Sequence, residues 1–193
     1  MNIENIKNSK TKFTGKQIYY YKEIESTQIE AKRIAQNSKV NNGTIIIAES
    51  QTKAMGTNKR KWHTGMGKNL AFTIIYYPTC LPEELKSITV EIAEAMVETI
   101  YELYKIRLNI KEPNDLMLNG KKIGGILTQT SIVSNHINYL LIGVGFNIKE
   151  DNFPIELKEI ATSLVIEHKG DYSREKILYT FLENLEEKIN YIF

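Results

Sequence analysis

The sequence lacks the residues that several common kinds of functional site require. Cys80 is the only cysteine, which excludes an internal disulfide framework and favours a reducing compartment, so we expect a cytoplasmic protein. The three histidines, His63, His136 and His168, are too widely spaced to predict a metal site. No apolar run approaches the ~18 residues of a transmembrane helix, and the polar N-terminus has no signal-peptide pattern. We therefore expect no membrane partner.

An excess of charge of one sign is also missing. The 193 residues include 25 Lys and Arg against 23 Asp and Glu, and a net charge of +2 is too small to predict binding to nucleic acid or to a membrane surface. The apolar fraction of 42% is ordinary for a globular protein, and no linker or internal repeat divides the chain. We therefore predict a single domain over residues 1–193.

A long polar loop is the most informative stretch that is present. It covers residues 49–69 and separates two apolar, β-branched runs, residues 43–48 and 70–77, which predict buried strands. The loop carries three glycines, several cations and the only tryptophan, Trp62. Loops of this length inside a compact domain are usually either functional or disordered. Because glycines let backbone N–H groups approach a phosphate and Lys or Arg neutralises it, the loop predicts an anionic ligand.

A second informative stretch is centred on Asn119-Gly120, which predicts a two-residue hairpin turn. With that turn, Met117 faces Lys122 and Asp115 faces Gly124, so these four residues share one face of the ribbon. Asp115 and Lys122 are then diagonal neighbours, roughly 7–8 Å apart. The pair predicts a ligand site in which Asp115 holds a cation such as Mg²⁺ and Lys122 contacts an anionic group. The alternative is a solvated surface hairpin.

The remaining elements follow from periodicity. Strands are predicted at residues 17–22, 107–111 and 137–142, and helices at residues 29–36, 82–105 and 155–166 and from residue 173 onward. Thr27 and Glu30 fit a capping box, which favours a purely structural role for Thr27. The strand after the hairpin runs into Gly143, Gly145 and Asn147, where the glycines admit a neighbour or a ligand. A dinucleotide fingerprint would need a third glycine.

Four of these stretches, in this order and spacing, resemble the catalytic domain of the biotin–protein ligase family. The family loop, approximately Gln-Thr-x-Gly-Arg-Gly-Arg-x-Gly-Arg-x-Trp, corresponds to residues 51–62. The family pattern Lys-x-Pro-Asn-Asp, followed by Lys-x-x-Gly-Ile-Leu, corresponds to residues 111–115 and 122–127. A Ser-Thr pair at a helix start matches Ser26-Thr27, and Gly-x-Gly-x-Asn matches residues 143–147.

The resemblance implies an α+β fold like that of class II synthetases, with a mixed, largely antiparallel sheet and helices mainly on one face. It also implies a two-step reaction that uses ATP and Mg²⁺ with biotin as substrate. Biotin's carboxylate attacks the α-phosphate of ATP to give biotinyl-5′-AMP, and a lysine of a biotin carboxyl carrier protein then attacks the adenylate. The enzyme needs no nucleophile of its own, which agrees with the absence of a Ser/His/Asp or Cys/His motif.

The resemblance also implies roles for individual residues. Lys122 bridges the biotin carboxylate and the α-phosphate, and Asp115 serves catalysis and the metal. The biotin-binding residues are Ser26, Thr27, Gln51, Ala54, Met55, Gly56, Lys122 and Gly125. The nucleotide-binding residues are Thr57, Arg60, Trp62, Asn114 and Asn147.

The loop is where the sequence departs from the family. Met55 and Thr57 stand where the pattern has arginines, and Ala54 and Lys59 stand where it has glycines. Each lost arginine removes charge-assisted hydrogen bonds worth about 1.5–3 kcal/mol. We therefore predict that the adenylate is held less tightly than in members that keep both arginines.

Other family members carry further modules and related activities. The sequence predicts neither the N-terminal winged domain nor the small C-terminal β-domain, and we expect no DNA partner. Relatives pair through sheet edges, so the resemblance admits a homodimer. Two alternatives stay open: a lipoate ligase or octanoyltransferase-like enzyme, and a degenerate module that binds biotin or adenylate with weak transfer.

Overall fold

The protein is built on one seven-stranded sheet. The computed structural model describes residues 1–57 and 60–193. The strand order is β1-β2-β3-β7-β6-β5-β4, in which β1 and β2 are parallel and all other neighbours are antiparallel. The strands are β1 (Ile18–Ile24), β2 (Thr44–Gln51), β3 (Leu70–Tyr76), β4 (Asn109–Lys111), β5 (Asp115–Leu118), β6 (Lys121–Val133) and β7 (His136–Phe146).

The helices cover the two faces of this sheet unequally. They are α1 (Ile3–Lys7), α2 (Thr27–Asn37), α3 (Ile88–Tyr104), α4 (Leu164–Glu167) and α5 (Arg174–Lys188), with 3₁₀ turns at Pro82–Leu85 and Asn190–Ile192. Helices α1, α3 and α5 bury their apolar residues in the larger core on one face. Of the helices in the described residues, only α2 packs on the other face. The predicted mixed, largely antiparallel α+β fold with helices mainly on one face is therefore confirmed.

Alternation along β7 shows how one strand serves both faces. Ile142, Val144 and Phe146 point into the larger core and are at most 4% exposed. Leu141 points the opposite way and packs with α2 in the smaller core. Beyond Leu141, this second face carries only glycine in β7, at Gly143 and Gly145. We call it the open face, because α2 covers only part of it.

Two helix predictions are wrong in extent. The periodic run at 82–105 splits into a 3₁₀ turn and α3, with Ser87 as the N-cap of α3 and Lys105 as its left-handed C-cap. The run at 155–166 forms turns, and only Leu164–Glu167 is helical. Ile155 and Ile160 are 86% and 61% exposed, so this segment buries no apolar stripe that would stabilise a longer helix.

Among the described residues, no helix has both the length and the apolar character needed to cross a membrane.

Candidate active site

The β5–β6 hairpin contains a bulge that decides which residues share the site. The Asn119-Gly120 turn forms as predicted, with positive φ at both residues. Met117 faces Lys122 as predicted, but Asp115 faces Gly125 rather than Gly124, because the register shifts between Leu116 and Met117. A Cβ on Gly124 would meet Phe146 and Leu116 of the large core. The prediction that Gly124 shares a face with Asp115 and Lys122 is therefore wrong, and Gly125 takes that place.

Lys122 is held on both sides of its backbone. It pairs with Met117 of β5, and on the opposite side its N–H donates to Ile160 while Thr162 N–H donates to its carbonyl, both at 2.9 Å. Its Nζ lies 2.6 Å from Oδ1 of Asp115 and 5.5 Å from the centre of the Trp62 ring. The ammonium is thus fixed between a carboxylate and an aromatic face.

The start of α2 supplies a polar network rather than a cap. Thr27 is the first helical residue, and Glu30 bonds Arg33 and Tyr21, so the predicted capping box is wrong. The Thr27 N–H and hydroxyl donate to Oε1 of Gln51 at 2.8 and 3.1 Å, and the hydroxyl accepts from Thr73 at 2.9 Å. The network fixes Thr27 and Gln51 at the edge of the open face.

The polar loop folds back over the open face. The backbone N–H of Trp62 donates to the Ala54 carbonyl at 3.0 Å, and the backbone N–H of Gly56 donates to the Arg60 carbonyl at 2.8 Å. The Trp62 ring lies on the glycines of the sheet: a Cβ on Gly145 would be 2.5 Å from its Cε2, and one on Gly125 would be 3.5 Å from its Cζ3. Lys59, at which the sequence departs from the family pattern, lies outside the described residues.

Buried carboxylates anchor both ends of the loop. At its start, Glu49 accepts from Arg174 and Tyr20, each at 2.5 Å. Burial alone would raise the pKa of Glu49, but the hydrogen bonds from Arg174 and Tyr20 outweigh it and lower the pKa. Near its end, Glu150 lies 3.2 Å from the Lys68 ammonium and 3.3 Å from the His63 ring. These contacts tie the loop to α5 and to the segment after β7.

Two adjoining cavities open around this loop, and every predicted site residue lines at least one of them. The inner cavity encloses about 490 Å³, including space open to solvent. Of the predicted residues, it is lined by Ser26, Thr27, Gln51, Ala54, Met55, Gly56, Thr57, Trp62, Asn114, Lys122 and Gly125. Asn114, which we expected on the nucleotide side, lines only this cavity and donates its amide to the Ile126 carbonyl at 3.2 Å.

The outer cavity is larger and more basic. It encloses about 1280 Å³ by the same measure, and the predicted residues that line it are Gly56, Thr57, Arg60, Trp62, Asp115, Lys122 and Asn147. Lys61 and Lys111 add two cations. Lys122 and Trp62 belong to both cavities, so they mark the junction between a small inner space and a large basic one.

Two buried polar atoms at these cavities lack hydrogen-bond partners in the described part of the chain. They are Nε1 of Trp62 and Oδ1 of Asn147. The Asn147 side chain is otherwise fixed, because its Nδ2 donates to the Thr162 carbonyl at 3.0 Å. A buried polar atom without a partner costs about 1–3 kcal/mol. A ligand with both an acceptor and a donor would satisfy these atoms.

Sequence reasoning missed two polar residues that line the inner cavity, Gln28 and Thr73. Gln28 follows the Ser26-Thr27 pair directly, and Thr73 is the one polar residue in the otherwise apolar strand β3. Both are buried. A polar residue within a strand predicted to be buried could have identified Thr73, whereas adjacency to Thr27 is the only sequence signal for Gln28.

The chain is similar to known proteins over most of its length. Residues 20–147 match the biotin/lipoate A/B protein ligase family. The bifunctional ligase/repressor BirA of Bacillus subtilis is 36% identical over 80% of this chain and 48% of that protein, and the biotin–protein ligase of Homo sapiens is 29% identical over 85% and 23%. The chain thus spans about half, or less, of the length of these relatives.

Solved structures agree with the sequence matches. The biotin protein ligase of Aquifex aeolicus in complex with biotin and ATP matches with a TM-score of 0.76 and 27% identity, over 91% of this chain and 71% of that one. That complex holds both a small carboxylic acid and a nucleotide, in keeping with two adjoining cavities. With the family match over residues 20–147, these findings show that the chain belongs to the biotin/lipoate A/B protein ligase family.

Proposed function

We propose that the chain is an ATP-dependent biotin–protein ligase that forms biotinyl-5′-AMP and transfers biotin to a lysine of a biotin carboxyl carrier protein. The observation that carries the proposal is the position of Lys122 at the junction of the two cavities, ion-paired to Asp115. The inner cavity suits the biotin ring and chain, and the basic outer cavity suits ATP. A cytoplasmic location fits the single free thiol of Cys80.

The central difficulty of the first step is that two anions must meet. The Lys122 ammonium at the junction offsets the repulsion between the carboxylate of biotin and the α-phosphate of ATP. A carboxylate oxygen then attacks the α-phosphorus, and pyrophosphate leaves. Arg60, Lys61 and Lys111 line the space that the phosphates would occupy. In the second step, the amine of the acceptor lysine attacks the carbonyl of the mixed anhydride, and AMP leaves.

The residues present fit a magnesium ion bound together with ATP. Among the described residues, no group of three or more His, Cys, Asp or Glu could hold an ion by itself. Mg²⁺ is, however, commonly bound by one or two carboxylates plus substrate phosphates. Asp115 would be that carboxylate once Lys122 turns from it to the ligand. When bound, the ion would draw negative charge from the phosphates.

One assay distinguishes this function from its alternatives. The protein is incubated with ATP, Mg²⁺ and either biotin or lipoate, and both pyrophosphate release and labelling of an isolated acceptor domain are measured. Biotin-dependent release with labelling supports the proposal. Dependence on lipoate would instead indicate a lipoate ligase, and binding of biotin without turnover would indicate a degenerate binding module.

Lys122→Ala tests the proposed role of the junction. We expect pyrophosphate release to fall at least about 100-fold, because one preorganised charge is lost where charge develops. Lys121→Ala is the matched control, since the neighbouring lysine only donates to the Lys158 carbonyl on the surface. Both variants should unfold at the temperature of the wild type. A Lys122→Ala variant as active as Lys121→Ala would contradict the role.

A further inference from the structure

Thr162 lies beside the strand that carries Lys122 and connects two parts of the candidate site. Its backbone N–H donates to the Lys122 carbonyl at 2.9 Å, and its own carbonyl accepts from the Asn147 side chain at 3.0 Å. Thr162 is completely buried, and Asn147 is 3% exposed. A shift of Thr162 would therefore disturb both the Lys122 backbone at the cavity junction and the Asn147 amide in the outer cavity.

The carboxylate of Glu167 ties Thr162 to the β5–β6 hairpin turn. Its Oε1 accepts from the Thr162 hydroxyl at 2.5 Å, and its Oε2 accepts from the Asn119 amide at 2.6 Å. Hydrogen bonds to an ionised carboxylate are stronger than those between neutral groups. Burial alone would raise the pKa of Glu167, but these two hydrogen bonds outweigh it and lower the pKa. The group is therefore charged at neutral pH.

The backbone pairing beside Lys122 is too short to fix this region by itself. It consists of a single bridge between Lys122 and Ala161, whereas strand pairs usually extend over several residues. In the described part of the chain, Glu167 is the only hydrogen-bond partner of the Thr162 hydroxyl and of the Asn119 amide. The two bonds to Glu167 thus supply the restraint that the short bridge lacks.

We propose that Glu167 is a positioning residue for adenylate formation, which fixes Lys122 and Asn147 relative to each other through Thr162. The inference rests on the proposed function, because it takes Lys122 as the charge between biotin and ATP and Asn147 as a nucleotide-binding residue. The buried Oδ1 of Asn147, which has no partner in the described chain, is the atom whose direction Thr162 controls. Glu167 lines neither cavity, so it acts on the substrates only through other residues.

The first test is Glu167→Ala, with pyrophosphate release measured while ATP and biotin are varied separately. We expect kcat to fall and the KM for ATP to rise, so that kcat/KM for ATP falls by about 10- to 100-fold, because small displacements of positioned groups are costly to the rate. The KM for biotin should change much less, since Thr27 and Gln51 are held by hydrogen bonds that do not involve Glu167. A purely structural role would weaken the use of both substrates alike.

Glu156→Ala is the matched control. Glu156 is a glutamate on the segment between β7 and α4, is exposed, and forms no hydrogen bond with the described residues. Its kinetic constants should equal those of the wild type. If the wild type is active, a Glu167→Ala variant that matches Glu156→Ala, or that loses ATP and biotin use equally, would overturn the inference and leave the proposed function standing. A wild type without biotin-dependent release would contradict both.

Asn119→Asp provides a second test, which serves even if Glu167→Ala fails to fold. Aspartate suits the same position of the turn, but it places a second carboxylate beside Glu167, and the two repel each other. This variant should show the same loss in kcat/KM for ATP. Adding Glu167→Gln supplies an amide that can donate to the new carboxylate, so the double variant should recover most of the loss. Simple addition of the two single effects would contradict the proposed contact.

Discussion

The two faces of the sheet differ in how they use the same strands. On the face covered by α1, α3 and α5, β7 contributes Ile142, Val144 and Phe146, which are almost completely buried in one apolar core. On the open face it contributes Gly143 and Gly145, whose missing side chains are replaced by Gln28 and Trp62. The first face is filled by apolar side chains of the strands and of α1, α3 and α5, whereas the second is filled above the two glycines by the Gln28 amide and the Trp62 ring. We therefore expect stability to depend mainly on one face and the proposed ligand binding on the other.

Adjacent residues of β7 provide the strongest test of this comparison. Phe146→Ala should lower the free energy of unfolding by about 3–5 kcal/mol, because it leaves a cavity in the large core. Gly145→Ala should cost much less stability but reduce ligand binding, because its methyl displaces the Trp62 ring. Urea denaturation measures the first effect. Emission of the only tryptophan measures the displacement of its ring, which should emit at longer wavelength, and titration with biotin measures the loss of binding.

Equal losses of stability in both variants would break the comparison between the two faces. An unshifted emission spectrum in Gly145→Ala would show that Trp62 does not rest on that glycine.

The substituted loop on the open face gives the next largest expected effect. Met55→Arg and Thr57→Arg restore charged donors at the cavities, so each should slow release of the adenylate by about 10- to 100-fold, the equivalent of 1.5–3 kcal/mol. The measurement is the dissociation rate of biotinyl-5′-AMP from purified protein. Lys39→Arg, on the surface before β2, is the control and should leave the rate unchanged. Slow release of biotinyl-5′-AMP from the wild type would contradict the prediction that the protein binds the adenylate weakly.

Glu49 is a buried charged residue on the helix-covered face, so substituting it tests how much a charge contributes to the stability of that face. Its pKa is lower in the folded state than the unfolded value of about 4.3. It therefore contributes stability that is fully present above that value and is lost as pH falls through the folded pKa. Glu49→Gln should cost about 1–3 kcal/mol at pH 7, since Arg174 and Tyr20 lose a charged acceptor. Denaturation at several pH values should show the difference from wild type shrinking below about pH 4.

A difference between wild type and Glu49→Gln that stays constant down to pH 3 would exclude this linkage.

Sequence reasoning predicted the elements around the site better than their exact pairing. The hairpin at Asn119-Gly120 was predictable because these residues tolerate the positive φ of its turn. The bulge was not, because the strand register there depends on β7 and on residues 160–162, which pair along β6 from its other side. Thr27 was mistaken for a cap because its partners, Gln51 and Thr73, are close only in the folded chain.

The sequence by itself determined which face each residue of β7 serves, since side chains alternate in any strand and the large apolar residues must be buried. From the same sequence we predict that the loop around Trp62 is suited to an anion. Only the tertiary structure decided which side chains occupy the space above Gly143 and Gly145. That choice depends on the crossing of α2 over the sheet and on the anchoring of the loop by Glu49 and Glu150, which are long-range contacts that no local pattern encodes.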